Sequence, residues 1–378
     1  MLFKEVIGQN KVIGQLTDAV KMGRISHSQL FLGSDGSGTL ALAIAFAQYL
    51  SCTQRNGADS CNTCASCLKY QKLIHPDLHF VFPVNKTKTM EKDNPVSDDF
   101  IAAWRESVIK NPYLSLNQWY DIIGIENKQG FISVYESKAI LYKLSLKSFE
   151  SDYKIMIIWH PEKMHPSAAN KLLKIIEEPP DKTIFMAATD STDQILPTVL
   201  SRFQIVKIPK INNDDMAASI KGKFELDDKK VKEIVNLSEG NYRKAIENID
   251  AGEEYDNNLE RFILMMRHCY SSNMPEILKW VDDIAVMGRE RQKDFLDYSL
   301  SIIRKNFLLS LNQTEKVYLT EKENEFSGRF HPFINMANAH QIADEINKAY
   351  NDIERNAFGR IVFLDLVFKI IKLIRKQN

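Results

Sequence analysis

The sequence predicts an α/β core, a parallel sheet flanked by helices, followed by an all-helical remainder. Three observations carry that prediction. Short apolar runs at Ser28–Leu32, Tyr153–Trp159, Thr183–Ala188 and Ile205–Ile208 read as buried strands. Helical stretches lie between them, the alternation that places helices on the faces of a parallel sheet. Beyond Pro209 the alternation stops, and apolar residues recur only at helical spacing.

In chain order, Ser28–Leu32 ends in the glycine-rich turn Gly33–Gly38 (GSDGSG), and Thr39–Leu50 (TLALAIAFAQYL) is an apolar helix. A cysteine-rich segment occupies about 52–67. Residues 83–130 form an insertion, polar and aromatic in patches, which Trp104, Trp119 and Tyr120 mark as ordered. The Tyr153–Trp159 strand leads to a helix over Pro166–Glu178. Pro166 suits its first turn, Ala169, Leu172, Leu173 and Ile176 form its apolar face, and Pro179-Pro180 ends it. A break is expected around 250–257, and 313–325 reads as a solvated loop or helix end.

With 378 residues, 49 Lys+Arg against 49 Asp+Glu and 44% hydrophobic residues, the chain is of a length for two or three domains. The apolar fraction excludes a disordered chain, and 15 Gly with 12 Pro exclude a fibrous one. Zero net charge argues against a protein that grips nucleic acid alone by bulk charge. The first ten residues do not read as a signal peptide. Ile361–Ile374 is apolar but interrupted by Asp365, Lys369 and Lys372, and falls short of the ~20 residues needed to span a bilayer. A packed amphipathic helix and a cytoplasmic protein without a membrane partner are therefore expected.

A working phosphate loop reads G-x-x-x-x-G-K-S/T. Its amides cradle phosphate, its Lys neutralises the charge and its hydroxyl binds Mg²⁺. Here Gly33, Gly36 and Gly38 keep the backbone, but Thr39 stands in place of Lys and Leu40 in place of Ser/Thr. The second half of such a site is a strand ending in carboxylates that hold Mg²⁺ and orient water. Ile155–Ile158 is instead followed by Trp159, His160 and Pro161, with Glu162 the first carboxylate. His160 is expected to be structural. Two losses on the two halves of one site predict a degenerate phosphate loop without ATP hydrolysis.

Four of five cysteines fall in the pattern Cys52-x8-Cys61-x2-Cys64-x2-Cys67. In a reducing compartment this spacing suits a closed, structural Zn²⁺ site. An iron–sulfur site is the rival, but the ferredoxin run continues with Cys-Pro after three residues, where Gln71 stands here. Cys269, in FILMMRHCY, reads as a core thiol.

Several ordered motifs together resemble the delta-prime family of bacterial DNA polymerase III clamp-loader subunits, AAA+ proteins. They are His27-Ser28-Gln29-Leu30-Phe31 before the glycine turn, the four-Cys module, Ala168-Ala169-Asn170-Lys171-Leu172-Leu173-Lys174, Glu177-Glu178-Pro179-Pro180 and Leu196-Pro197-Thr198-Val199-Leu200-Ser201-Arg202. The family's Ser-Arg-Cys motif here reads Ser201-Arg202-Phe203. The resemblance covers about the first 250 residues. It implies an AAA+ core over 1–208, a small helical lid over 209–253 and a helical collar over 254–378. It further implies a non-hydrolysing subunit of the DNA polymerase III holoenzyme, ringed with delta and gamma/tau subunits that load a sliding clamp on primer-template DNA. Arg202 would act in trans as an arginine finger on a neighbour's ATP, and Arg243, in Gly240-Asn241-Tyr242-Arg243, would fix the lid.

Two other readings compete. An active AAA+ motor subunit of gamma/tau type also carries a zinc module, but Thr39, Leu40, Trp159 and His160 each replace a residue that activity needs. A zinc-bearing DNA-binding protein acting alone is disfavoured by the zero net charge.

Overall fold

A computed structural model describes residues 1–88, 90–125, 128–250, 252–313, 315 and 317–375. The chain divides into two compact units, Met1–Ile246 and Glu247–Asn378.

The first unit is built on five parallel strands in the order β2-β3-β4-β1-β5: β1 (Ser28–Gly33), β2 (Leu78–Val81), β3 (Lys154–Trp159), β4 (Thr183–Thr189) and β5 (Gln204–Ile208). Register pairs Phe31 of β1 with Ala188 and Val206, and Ile157 of β3 with Met186 and Phe80. The expected parallel sheet with flanking helices is thus present. β2 lies outside the predicted strands. Its run LHFVF is only slightly longer than a turn-bounded apolar fragment, and His79 interrupts it.

Helices of this unit are α1 (Asn10–Lys21), α2 (Thr39–Ser51), α3 (Ala65–Gln71), α4 (Ile101–Lys110), α5 (Leu116–Ile122), α6 (Val134–Ser145), α7 (Pro166–Glu177), α8 (Pro197–Leu200), α9 (Asn213–Lys223) and α10 (Asp228–Ser238). Every residue of α2 is buried. A helix that is apolar all round has no solvent face to offer, so α2 lies inside, against β1, β3 and β4. On α7, Ala168, Ala169, Leu172 and Ile176 are buried, and the last three join a core with Leu30, Met156, Ile158 and Phe185 of the sheet.

The insertion over 83–130, of which 89, 126 and 127 lie outside the described residues, supplies α4 and α5. Its Trp104 and Trp119 are fully buried. Trp104 stacks on Phe82 at 4.2 Å between ring centroids, meets Trp119 edge-on at 5.1 Å and packs on Trp159 at 5.0 Å. The Trp119 indole N–H donates to the Pro83 carbonyl at 2.9 Å. Tyr120 is also buried, its hydroxyl donating to the Gly130 carbonyl at 3.1 Å.

Helix α11 (Tyr242–Asp250) reaches across the division. The second unit then holds α12 (Gly252–Ser271), α13 (Met274–Ala285), α14 (Arg289–Ser310), α15 (Glu321–Phe330), α16 (Ala339–Glu354) and α17 (Gly359–Leu373). Phe262, Trp280, Phe295, Ile342, Phe363 and Ile370 are among its buried core, as is Cys269. The expected break around 250–257 is much narrower. Ala251 lies outside the described residues, and α12 begins at Gly252. Within 313–325, of which 314 and 316 are not described, the solvated reading fails at Glu323. That side chain is fully buried, accepting from the Tyr298 hydroxyl at 3.0 Å and pairing with Lys305 at 3.3 Å. Partners supplied from α14, far away in sequence, make its burial tolerable. The apolar 361–374 stretch is the amphipathic α17, with Val362, Phe363, Leu366, Val367 and Ile370 inside. Among the described residues no helix is long and apolar enough to cross a membrane.

Because Trp104 joins the insertion to the end of β3, Trp104→Ala should cost about 3–5 kcal/mol. Denaturant unfolding of the full chain checks this; a change below 1 kcal/mol would mean the insertion is not part of the core.

Candidate functional site

The sheet order sets the geometry. β4 lies between β1 and β3, so the loop after β1, the Thr189 end of β4 and the Trp159 end of β3 sit side by side at the carboxyl edge of the sheet. This is where ligands bind in open parallel α/β sheets.

The loop Gly33–Gly38 joins β1 to α2 and holds left-handed backbone at Gly36 (φ +68°) and Gly38 (φ +91°), conformations that glycine adopts without penalty. Neither position has room for more than hydrogen. A methyl at Gly36 would strike the Asn241 side chain, and one at Gly38 would lie 2.8 Å from the Tyr113 ring. Thr39 and Leu40 are both buried in the first turn of α2. The backbone of a phosphate loop is present, and the two side chains that would neutralise phosphate and bind Mg²⁺ are replaced.

The surroundings of the loop come from three distant segments of the same chain. From the start of α11, Arg243 pairs with the Asp35 carboxylate of the loop, the Asn241 amide donates to the same carboxylate at 3.1 Å, and the Tyr242 amide donates to the Gly36 carbonyl at 3.2 Å. From the insertion, Tyr113 packs on Tyr242 at 4.9 Å, and its hydroxyl accepts from the Ile7 amide at 2.9 Å. From the N-terminal segment, the Gln9 amide donates to the carbonyls of Ser37 at 3.3 Å and Pro209 at 2.8 Å. An anion already sits within the loop, and it belongs to Asp35.

The second half of the site is also turned to packing. Trp159 is buried against Trp104. His160, left-handed at φ +53°, holds Glu162 through Nδ1 at 2.5 Å. The other Glu162 oxygen accepts from the Thr189 hydroxyl at 2.7 Å, which ties the ends of β3 and β4 together. Burial opposes ionisation of Glu162, but the bond to His160, its charge and the Thr189 hydroxyl outweigh it and hold the carboxyl below its ordinary value. His160 therefore has the structural surroundings expected of it.

Arg202 is not brought to this site. It lies on the turn before β5, and β5 runs parallel to β1 with Gln204 beside Gln29 and Ile208 beside Gly33. Arg202 is therefore at the amino end of the sheet and the loop at its carboxyl end, separated by roughly 13 Å of strand. Its guanidinium, half-buried, is held by Glu177, with Nε donating at 2.9 Å and Nη2 within 2.7 Å of the same oxygen, while Nη1 donates to the Thr198 carbonyl at 2.6 Å.

The four cysteines converge. The sulfurs of Cys52, Cys61, Cys64 and Cys67 all lie within 4.8 Å of one another. A tetrahedron of sulfurs around Zn²⁺ at 2.3 Å has edges of about 3.8 Å, so small movements would close the set. Backbone amides prepare it: Cys61 donates to the Cys52 sulfur at 3.3 Å, Cys64 to that of Cys61 at 3.3 Å and Cys67 to that of Cys64 at 3.5 Å. Amides of Thr63 and Cys64 pull the Cys61 thiol down to about 6, whereas burial raises those of Cys52 and Cys67. Cys67 ends fully buried and Cys64 caps α3.

Sequence reasoning missed Asp35, Asn241, Tyr113 and Gln9 as a set. Only Asp35, an acidic residue inside a loop meant for anions, gave a local signal.

A family model described as "DNA polymerase III, delta subunit" matches residues 8–212. The delta' subunit of DNA polymerase III from Bacillus subtilis is 28% identical over 196 residues, 52% of this chain and 46% of that protein. The gamma subunit from Buchnera aphidicola (Acyrthosiphon pisum) is 24% identical over 249 residues, 65% of this chain and 56% of that protein. The chain thus spans about half the length of these curated relatives. A solved gamma subunit-related protein of Thermotoga maritima covers 96% of this chain and 100% of its own, at 12% identity and a TM-score of 0.38, and adds nothing to the fold described above.

Removing the loop's own anion should loosen α11. In Asp35→Asn, amides over 242–246 should exchange roughly fivefold faster, the effect of losing a partly screened ion pair worth about 1 kcal/mol. Unchanged exchange would show that Asp35 does not hold the segment.

Proposed function

The chain belongs to the DNA polymerase III clamp-loader subunit family, and we propose that it serves there as a delta-prime-like member. In this reading it hydrolyses no nucleotide itself and lends Arg202 in trans to the ATP site of an adjacent subunit. The carrying observation is the placement of Arg202 at the end of the sheet opposite its own phosphate loop. A guanidinium there cannot serve the chain's own loop, and it is fixed at the surface by Glu177 and Thr198. An arginine placed against transferring phosphoryl oxygens stabilises charge that develops in the transition state, by about 10³–10⁵ in rate where it has been measured.

The loop supports the non-hydrolysing half of the reading. The loop has neither the Lys nor the hydroxyl of a working site, and Asp35, held by Arg243, occupies it with the chain's own carboxylate. In the assembly the chain would stand beside delta and gamma/tau subunits, acting with them on the sliding clamp and primer-template DNA. Residues 1–208 would be the AAA+ core, 209–253 the lid and 254–378 the collar, in the cytoplasm. The gamma/tau-type motor reading would need the missing Lys and the hydroxyl that follows it to be supplied from elsewhere, and no contact described above supplies them.

Cys52, Cys61, Cys64 and Cys67 would hold a structural Zn²⁺, a closed set with no position left for substrate. Cys64→Ser should lower zinc from one per chain and reduce the melting temperature by roughly 10 °C. A metal-free, equally stable parent chain would remove zinc from the account. For the central reading, Arg202→Ala in the reconstituted ring should depress DNA-stimulated ATP turnover by roughly 10³-fold, with assembly retained. Unchanged turnover would take Arg202 out of the mechanism.

A further inference from the structure

The surroundings of Arg202 hold a second residue whose chemistry is not explained by stability. Glu177 is the last residue of α7, followed by Glu178 and then Pro179-Pro180. A helix carboxyl end carries partial negative charge, and the favourable residues there are Lys, Arg and His. Two carboxylates at that end work against the helix. The first of them is engaged: Arg202 Nε donates to Glu177 at 2.9 Å, and Nη2 reaches the same oxygen at 2.7 Å. The pair is surface-exposed, with 27% of the Arg202 and 57% of the Glu177 side chain accessible, so it contributes little to folding.

What the pair does is fix a direction. A guanidinium has five N–H donors in a rigid plane. Glu177 accepts from Nε and lies within ion-pair distance of Nη2, and the Thr198 carbonyl accepts from Nη1. At least one N–H remains on each terminal nitrogen, a pair of donors that suits phosphoryl oxygens. The anchor points are themselves rigid. Glu178 and then the proline pair stop α7 after Glu177, and Phe203, buried next to Arg202, pins the turn that carries it.

We infer that Glu177 is the positioning residue for Arg202: it grips the Nε edge of the guanidinium and turns the remaining fork outward, towards the phosphoryl group of an adjacent subunit's nucleotide. This rests on the reading of Arg202 as a finger in trans. Glu177 touches no reacting atom. It reduces the orientational freedom that a long, flexible side chain would otherwise lose on reaching its target.

The experiment is steady-state ATP turnover by the reconstituted, DNA-stimulated ring carrying Glu177→Gln, Glu177→Asp, Glu178→Gln, Arg202→Ala or Glu177→Gln with Arg202→Ala. Glu177→Gln should lower kcat roughly three- to tenfold with KM for ATP unchanged, Glu177→Asp should lie between it and the parent, and Glu178→Gln should match the parent. In the Arg202→Ala background, Glu177→Gln should add nothing. If Arg202→Ala lowers turnover and Glu177→Gln does not, the inference is overturned while the finger reading stands. If Arg202→Ala changes nothing, the finger reading falls and the inference with it. An equal effect of Glu177→Gln with and without Arg202 would also overturn it, since Glu177 would then act by another route.

Discussion

The first unit depends on one constraint: the carboxyl edge of its sheet, built with the backbone of a phosphate site, is closed by the chain's own side chains. Asp35 places a carboxylate inside the loop, and Arg243 and Asn241 meet it. A loop that gathers amides at a helix N-terminus favours negative charge. Here that preference is satisfied within the fold, so α11 is seated without a bound anion.

The insertion follows from the same constraint. A strand end that must hold magnesium needs a carboxylate and open space. Trp159 needs neither, and it packs into an aromatic cluster with Trp104, Trp119 and Phe82. Tyr113, from the loop between α4 and α5, crosses to the other half of the site and covers Gly38 and Tyr242. One segment therefore packs on both the end of β3 and the glycine loop.

Much of this was legible in the sequence. Apolar runs bounded by glycine and proline located four of five strands, because buried parallel strands leave a continuous apolar signature. The replacements at Thr39, Leu40, Trp159 and His160 were legible as departures from the working motif, and the cysteine spacing announced the cluster that the fold brings together. What was hidden were contacts between distant segments. Nothing local in Asn241, Tyr113 or Gln9 says that they meet the loop, and Glu323 reads as solvent-facing until Tyr298 and Lys305 arrive from another helix. Glu177 was visible within a motif, yet its partner, Arg202, lies 25 residues on. Periodicity and spacing report on what a segment does by itself, and the filling of this site is the work of several segments at once.

The most direct test is calorimetric titration of the pure, full-length chain with Mg²⁺-ATP. An emptied and self-filled phosphate site predicts no saturable binding up to about 1 mM and no hydrolysis. Stoichiometric binding at micromolar ATP, abolished by substitution at Gly36, would contradict it, because the seat now assigned to Asp35 and Arg243 would have to open for a triphosphate.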